Sequence, residues 1–143
     1  MKRSLQLSPL SRDHHHGLFA AQRLKRATEA DAAAARSAFA EFWASEGRHH
    51  FRVEEEVLLP GFARHAAADD PAVVRTLVEH VDIRRRAQDL AGAPLAELHE
   101  LGRRLAAHIR QEETVLFPLI ERTLAPADLA ALGAAIAAAE ERP

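Results

Sequence analysis

Apolar residues recur three and four apart along four long stretches of this chain and one shorter one, with polar residues between them. That spacing gathers the apolar side chains on one face of an α-helix. The first stretch predicts a helix over about 9–28, opened by Ser8 as N-cap and Pro9 at the first helical position, with Leu10, His14, Gly17 or Leu18, Ala21 and Leu24 inward. The second runs over about 32–66, with Phe39 or Ala40, Trp43, Gly47, His50, Glu54, Val57 and Gly61 inward. Asp70 and Pro71 open a third over about 71–91, whose inner line is Val73, Leu77, His80, Ile83 and Ala87. The fourth covers about 94–124, with Leu98, Leu101, Leu105, His108, Glu112, Val115 and Leu119 inward. A fifth, about 126–141, carries a stripe of Leu129, Leu132, Ile136 and Ala139 and is read as a packing or lid helix without chemistry. Pro60 and Pro118 are expected to kink or break the second and fourth helices. Short turns between the long helices specify an all-α single domain over 1–143. It is an up-down-up-down four-helix bundle at about 9–124, with an additional C-terminal helix.

The inner lines are not purely apolar. The second and fourth helices repeat one stretch, His50-x-x-x-Glu54 and His108-x-x-x-Glu112, each with a second Glu beside the first and a proline at a matched offset. Residues four apart stack on one helix face, so an imidazole and a carboxylate in this pattern can close on one cation. A second repeat lies in the other two helices, where Asp13-His14 is echoed by Glu79-His80. A buried carboxylate without a partner costs several kcal/mol, so groups in such a seam are normally neutralised, paired or coordinated. Folding the two halves about a pseudo-twofold axis brings His14, His50, Glu54, His80, His108 and Glu112 to one level. Four imidazoles and two carboxylates exceed one tetrahedral ion. They suit two six-coordinate ions with Glu54 and Glu112 bridging, which leaves room for a shared oxide or hydroxide and for an exogenous ligand.

Several neighbouring residues have two readings. His14-His15-His16 is either the specific ligand His14, with His15 in reserve, or a surface run of loose metal affinity. Asp13, Glu55, Glu79 and Glu113 either orient the ligand imidazoles or belong to a solvated flank. His65 and His99 fall off the inner lines and are expected to face solvent.

Composition narrows the chemistry. The 143 residues contain no Cys, so any metal takes nitrogen and oxygen ligands, which suits iron, manganese or zinc. A formal net charge of −2 with interspersed signs excludes a nucleic-acid footprint. No apolar run is long enough to span a membrane and none follows Lys2 and Arg3 as a signal peptide would, so a cytoplasmic location is expected. A ferritin-like site needs two Glu-x-x-His pairs, and only Glu46-x-x-His49 is present.

The set His14, His50-x-x-x-Glu54, His80 and His108-x-x-x-Glu112, with Pro60 and Pro118 downstream, resembles the hemerythrin-like family of His-His-Glu cation-binding domains over roughly residues 8–124. The resemblance implies a non-haem pair of iron ions, oxo- or hydroxo-bridged, with manganese or zinc as substitutes. It implies terminal ligation by the four histidines and bridging by Glu54 and Glu112. It also implies a centre that can meet dioxygen or a related small ligand, and the leading reading is a carrier or sensor rather than a turnover enzyme. One departure stands out: oxygen carriers of the family have a further His on the third helix where this chain has Arg84. That leaves a di-iron oxidoreductase acting on peroxide or nitric oxide, or an iron buffer, as the competing readings. A metal-free interaction bundle is the plain alternative.

Overall fold

The computed structural model describes residues 2–142, and among them the chain forms five helices and no strand. Helix α1 is Ser8–Lys25, α2 spans 32–63, α3 is Pro71–Gln88, α4 spans 95–123 and α5 is Pro126–Glu140. No helix among the described residues is long and apolar enough to cross a membrane. Helix α1 packs most extensively on α4, α3 also lies against α4, and α5 closes over α2 and touches α1.

The helix starts differ in how they are capped. Asp70 caps α3 as expected, its Oδ1 accepting the Ala72 N–H at 2.9 Å. Ser8 does not cap α1: the cap position falls on Leu7, and the Ser8 hydroxyl donates to the Ser4 carbonyl instead. Arg3 ties this leading segment to Glu121 at 2.6 Å, and Leu7 is fully buried in the apolar core.

Neither proline breaks its helix. Both α2 and α4 contain a π-turn, a widened turn closed by i→i+5 hydrogen bonding, immediately before the proline. These turns are Glu54–Leu58 and Glu112–Leu116, closed by Leu59 N–H to Glu54 O and Phe117 N–H to Glu112 O. The backbone then continues in right-handed helical geometry through Pro60 and Pro118. A third π-turn, Trp43–Gly47, lies earlier in α2. Each π-turn admits one extra residue and slips the inner face by one position. Val57 and Val115, expected inward, are therefore half-buried and exposed, while Leu58 and Leu116 are fully buried.

On α3 the inward expectation for Leu77 fails as well: it is exposed, and Thr76 takes the buried position between Val73 and His80. Thr76 meets the burial by donating its hydroxyl to the Ala72 carbonyl at 2.9 Å. Phe39 and Gly17, rather than Ala40 and Leu18, are the buried members of their pairs.

The apolar core divides in two. One cluster includes Leu10, Leu58, Phe62, Val73, Leu116, Phe117 and Ile136. The other includes Leu24, Phe39, Phe51, Ile83, Leu98, Leu101 and Leu105. Along every one of the first four helices, the ionisable residues of the inner line fall between a member of one cluster and a member of the other.

Candidate metal centre

The layer between the two clusters contains His14, His50, Glu54, His80, His108 and Glu112, all buried, with both carboxylates fully inaccessible. Each side chain comes from an interior helix position, so its direction is set by the helix rather than by a loop. The four Nε2 atoms and the carboxylate oxygens converge on two sets. His14, His50, Glu54 and Glu112 form one, and Glu54, His80, His108 and Glu112 form the other, with ligand-type atoms within 4.8 Å of one another in each.

Both glutamates divide their oxygens between the sets. Glu54 turns Oε2 to His50 Nε2 at 3.2 Å and Oε1 to His80 Nε2 at 3.1 Å. Glu112 turns Oε1 to His14 Nε2 at 2.9 Å and Oε2 to His108 Nε2 at 3.3 Å. Most of these approaches are close without being hydrogen bonds. The Nε2 atoms of His50, His80 and His108, both oxygens of Glu54 and Oε2 of Glu112 are buried with no hydrogen-bond partner. So many orphaned groups in one apolar core call for a shared partner, and a cation satisfies acceptor lone pairs on nitrogen and oxygen together. The donor set, two imidazoles and two carboxylate oxygens for each ion, therefore fits a metal pair.

A second ring of carboxylates holds the outer face of each imidazole. His14 Nδ1 lies 2.6 Å from Glu113, His50 Nδ1 3.0 Å from Asp13, His80 Nδ1 2.7 Å from Glu55 and His108 Nδ1 2.8 Å from Glu79. Of the two readings open for these four acids, the orienting one matches this geometry. An Nδ1–H held by a carboxylate leaves Nε2 bare and aimed inward. The acid that precedes His14 on α1 serves α2, and the acid that precedes His80 on α3 serves α4. Adjacency in the chain is not adjacency in space here.

The electrostatics reflect this crowding. Burial disfavours a charged imidazole, but the carboxylates outweigh it, so His80 is raised to about 10 and His108 to about 9, with His14 and His50 raised as well. Burial opposes ionisation of Glu112, yet the imidazoles around it hold its carboxyl well below the usual range. Glu113 is lowered to about 2 by His14, Ser11 and Arg3 against the effect of burial.

Arg84 does not reach the centre. Its guanidinium grips Glu55 at 2.9 Å and lies over the Phe51 ring, 5.6 Å from the centroid. Phe51 in turn stacks on His80 with centroids 3.8 Å apart. Arg84 thus braces the acid and the ring that position His80, and neither set gains a further His or carboxylate among the described residues.

His15 is exposed and outside both sets, whereas His14 is inside. His65 is exposed as expected. His99 is not: it is half-buried, with Nε2 2.8 Å from the Ala27 carbonyl. The reading of α5 as free of chemistry also needs correction. Its Glu140 sits beside Asp13 and His50, and burial together with the Asp13 charge pushes its carboxyl up to about 8. Nothing in the stripe of α5 marks this residue; only its place after buried Ala139, at the end of a helix packed on α2, brings it there.

Beside His14, His50, His108 and Glu112 lies a cavity of about 20 Å³, also lined by Gly17, Phe42, Trp43, Gly47 and Ile109. That is enough for about one water-sized molecule. Added Cβ atoms would crowd its walls: at Gly17 one would stand 2.9 Å from Ile109, and at Gly47 one would stand 2.7 Å from Trp43.

A helical bundle whose core holds paired His and Glu clusters is, by class, a cation-binding four-helix protein. The family model for the hemerythrin HHE cation-binding domain matches residues 8–120, and the chain belongs to that family. Searches of curated proteins and of solved structures gave no match.

Proposed function

We propose that this chain holds a pair of iron ions and binds dioxygen or a related diatomic at that pair, as a carrier or sensor. The observation that carries the reading is the division of oxygens at Glu54 and Glu112. One oxygen of each faces the His14–His50 side and the other faces the His80–His108 side. A carboxylate buried in that posture is built to bridge. His14 and His50 would complete one ion, and His80 and His108 the other.

An iron pair with an open position supplies a redox-active centre that takes a small exogenous ligand. The chain's own part is to shape what reaches it. The cavity beside His14 and His50, at about 20 Å³, has room for about one small molecule, which suits a diatomic better than a large oxidisable substrate. Phe42, Trp43, Phe51, Leu105 and Ile109 give it an apolar side facing the His and Glu side chains, with Asp13 and Glu46 also in its lining. The four outer carboxylates hold the imidazoles against rotation when the charge of the centre changes.

The test is metal analysis with absorption spectra before and after air. About two irons per chain, oxo-bridge charge-transfer bands, and oxygen uptake reversed by evacuation are expected. Glu54→Ala and Glu112→Ala should each lose the pair, and His65→Ala should keep it. Rapid consumption of peroxide with return of the starting spectrum would replace this reading with an oxidoreductase. Equal metal retention in all three variants would refute the ligand set.

A further inference from the structure

The outer side of α3 carries an apolar stripe that no other part of the described chain covers. Val74, Val78 and Val81 are 44%, 62% and 69% exposed, with Leu77 at 41% beside them. At about 100° per residue these four positions span an arc as wide as a core-facing stripe. They point away from Val73, Thr76, His80 and Ile83, which face the bundle. Solvent gives no reason for this choice. Valine is a poorer helix former than alanine, and the exposed side of α5 is made of Ala131, Ala134, Ala135, Ala137 and Ala138. So α3 has two faces of burial type, and only one of them is buried.

The charges at the two ends of the stripe say what fits it. Asp69 and Asp70 precede α3, while Arg84, Arg85 and Arg86 fall in its last turns. Arg85 continues the line of Val74, Val78 and Val81 at helical spacing. It is 55% exposed, and its charged contacts among the described residues are long, 3.7 Å to Asp82 and 3.5 Å to Asp89. Asp70 uses Oδ1 to cap its own helix and keeps a second oxygen.

We propose that a second copy of this chain docks antiparallel on this face of α3. A two-fold axis between Leu77 and Val78 sets Val74 against Val81 of the second copy and Leu77 against its Val78. The same axis sets Arg85 against Asp70 of the second copy, because those two residues are equidistant from that point. A self-complementary patch with opposite charges at its two ends is what an isologous contact needs. Parallel pairing would place Arg85 on Arg85 and is disfavoured. The stripe is short, with Val74 to Val81 spanning about 10 Å of helix. It falls below the roughly 800 Å² per partner of a tight complex, so the dimer exchanges with monomer at micromolar or higher concentration. This contact goes beyond the ligand chemistry and stands whether or not the iron reading does.

The experiment is sedimentation of the metal-loaded full chain from about 5 μM to about 1 mM. A mass rising from one chain towards two is expected. Val78→Glu and Arg85→Asp should each raise the dissociation constant about tenfold or more, leaving melting temperature and metal content unchanged. The chain has no cysteine of its own, so Val78→Cys provides a separate readout. Near the axis its thiol should form an intermolecular disulfide with diamide far faster than Ala134→Cys on the exposed side of α5. A single-chain mass at the highest concentration overturns the proposal and leaves the stripe to a different protein. So does a dimer indifferent to both charge variants, or Val78→Cys crosslinking no faster than Ala134→Cys.

Discussion

Replacing Glu79 with alanine tests whether the outer carboxylates tune the centre or merely decorate it. Glu79 accepts the His108 Nδ1–H at 2.8 Å and the Arg75 Nε–H at 3.0 Å. In the variant, His108 keeps its place among buried neighbours, but an N–H in a ring only 1% exposed loses its partner. Without that anchor the ring can turn and the bare Nε2 no longer has a fixed aim. Losing a partner of this kind typically weakens metal binding by about 10- to 100-fold, or about 1.4–2.7 kcal/mol. The effect should be selective. Glu79 and Glu55 support the His108–His80 side, whereas Asp13 and Glu113 support the His50–His14 side. An anaerobic iron(II) titration against a coloured chelator should therefore show two binding steps, only one of which moves in Glu79→Ala. Glu79→Gln, whose amide oxygen can still accept the N–H, should lose less. Glu56→Ala is the control, because Glu56 is exposed and pairs with Arg52 on its own helix. If Glu79→Ala binds both ions like the control, or weakens both steps equally, the assignment of supports to sides is wrong.

Metal removal should invert the pH response. His80 and His108, held in the metal-free fold at about 10 and about 9 against 6.5 for a free imidazole, contribute stability that is complete below about pH 6.5 and lost as pH climbs through those values. Thermal melts should show the metal-free chain more stable at about pH 6 than at about pH 9.5, while metal affinity tightens with rising pH by up to about a hundredfold per unit as two protons are displaced. Gly47→Ala should push the cavity wall, since its Cβ would stand 2.7 Å from Trp43 and 3.0 Å from Phe42, both of which line it. Denaturant melts should show a loss of about 1–3 kcal/mol, and ligand uptake should slow with metal content intact. Glu140→Gln removes a carboxyl that the fold prefers protonated up to about 8. Stability is drained by that group as pH rises from the ordinary carboxylate range through 8, so the variant should melt higher than the parent above pH 8 and match it near pH 5.

Helix number, order and most inner lines are readable from the chain because alternation of three and four is a strong signal over stretches this long. The six inward His and Glu residues are readable for the same reason: they interrupt otherwise apolar seams at repeated offsets. The turns that begin at Glu54 and Glu112 are not. A π-turn keeps helical geometry and changes only which carbonyl each N–H reaches, so the pattern gives no warning that Leu58 and Leu116 replace Val57 and Val115 inside. The prolines at 60 and 118 suggest breaks, whereas each comes after a widened turn that lets the helix run on. Spacing misplaces Leu77 because Thr76 looks polar, and a hydroxyl can bury itself by bonding to the turn before it. Glu140 is invisible for another reason. Its role depends on how α5 docks, which no spacing within α5 encodes.

The four outer acids also give a core with this many ionisable groups a set of contacts that does not depend on a metal. Asp13 on α1 holds His50 on α2, Glu55 on α2 holds His80 on α3, Glu79 on α3 holds His108 on α4, and Glu113 on α4 holds His14 on α1. The contacts run once around the bundle, so each helix is tied to the next at one level. In the metal-free chain the raised imidazoles supply the positive charge that holds the Glu112 carboxyl low. Metal binding should then release protons from the imidazoles and leave the helical signal little changed. A zinc finger, by contrast, is unfolded until its ion arrives. The belt and the apolar clusters on either side predict the opposite here: circular dichroism of the metal-free chain should keep its helical signal, and an unfolded metal-free chain would refute the argument.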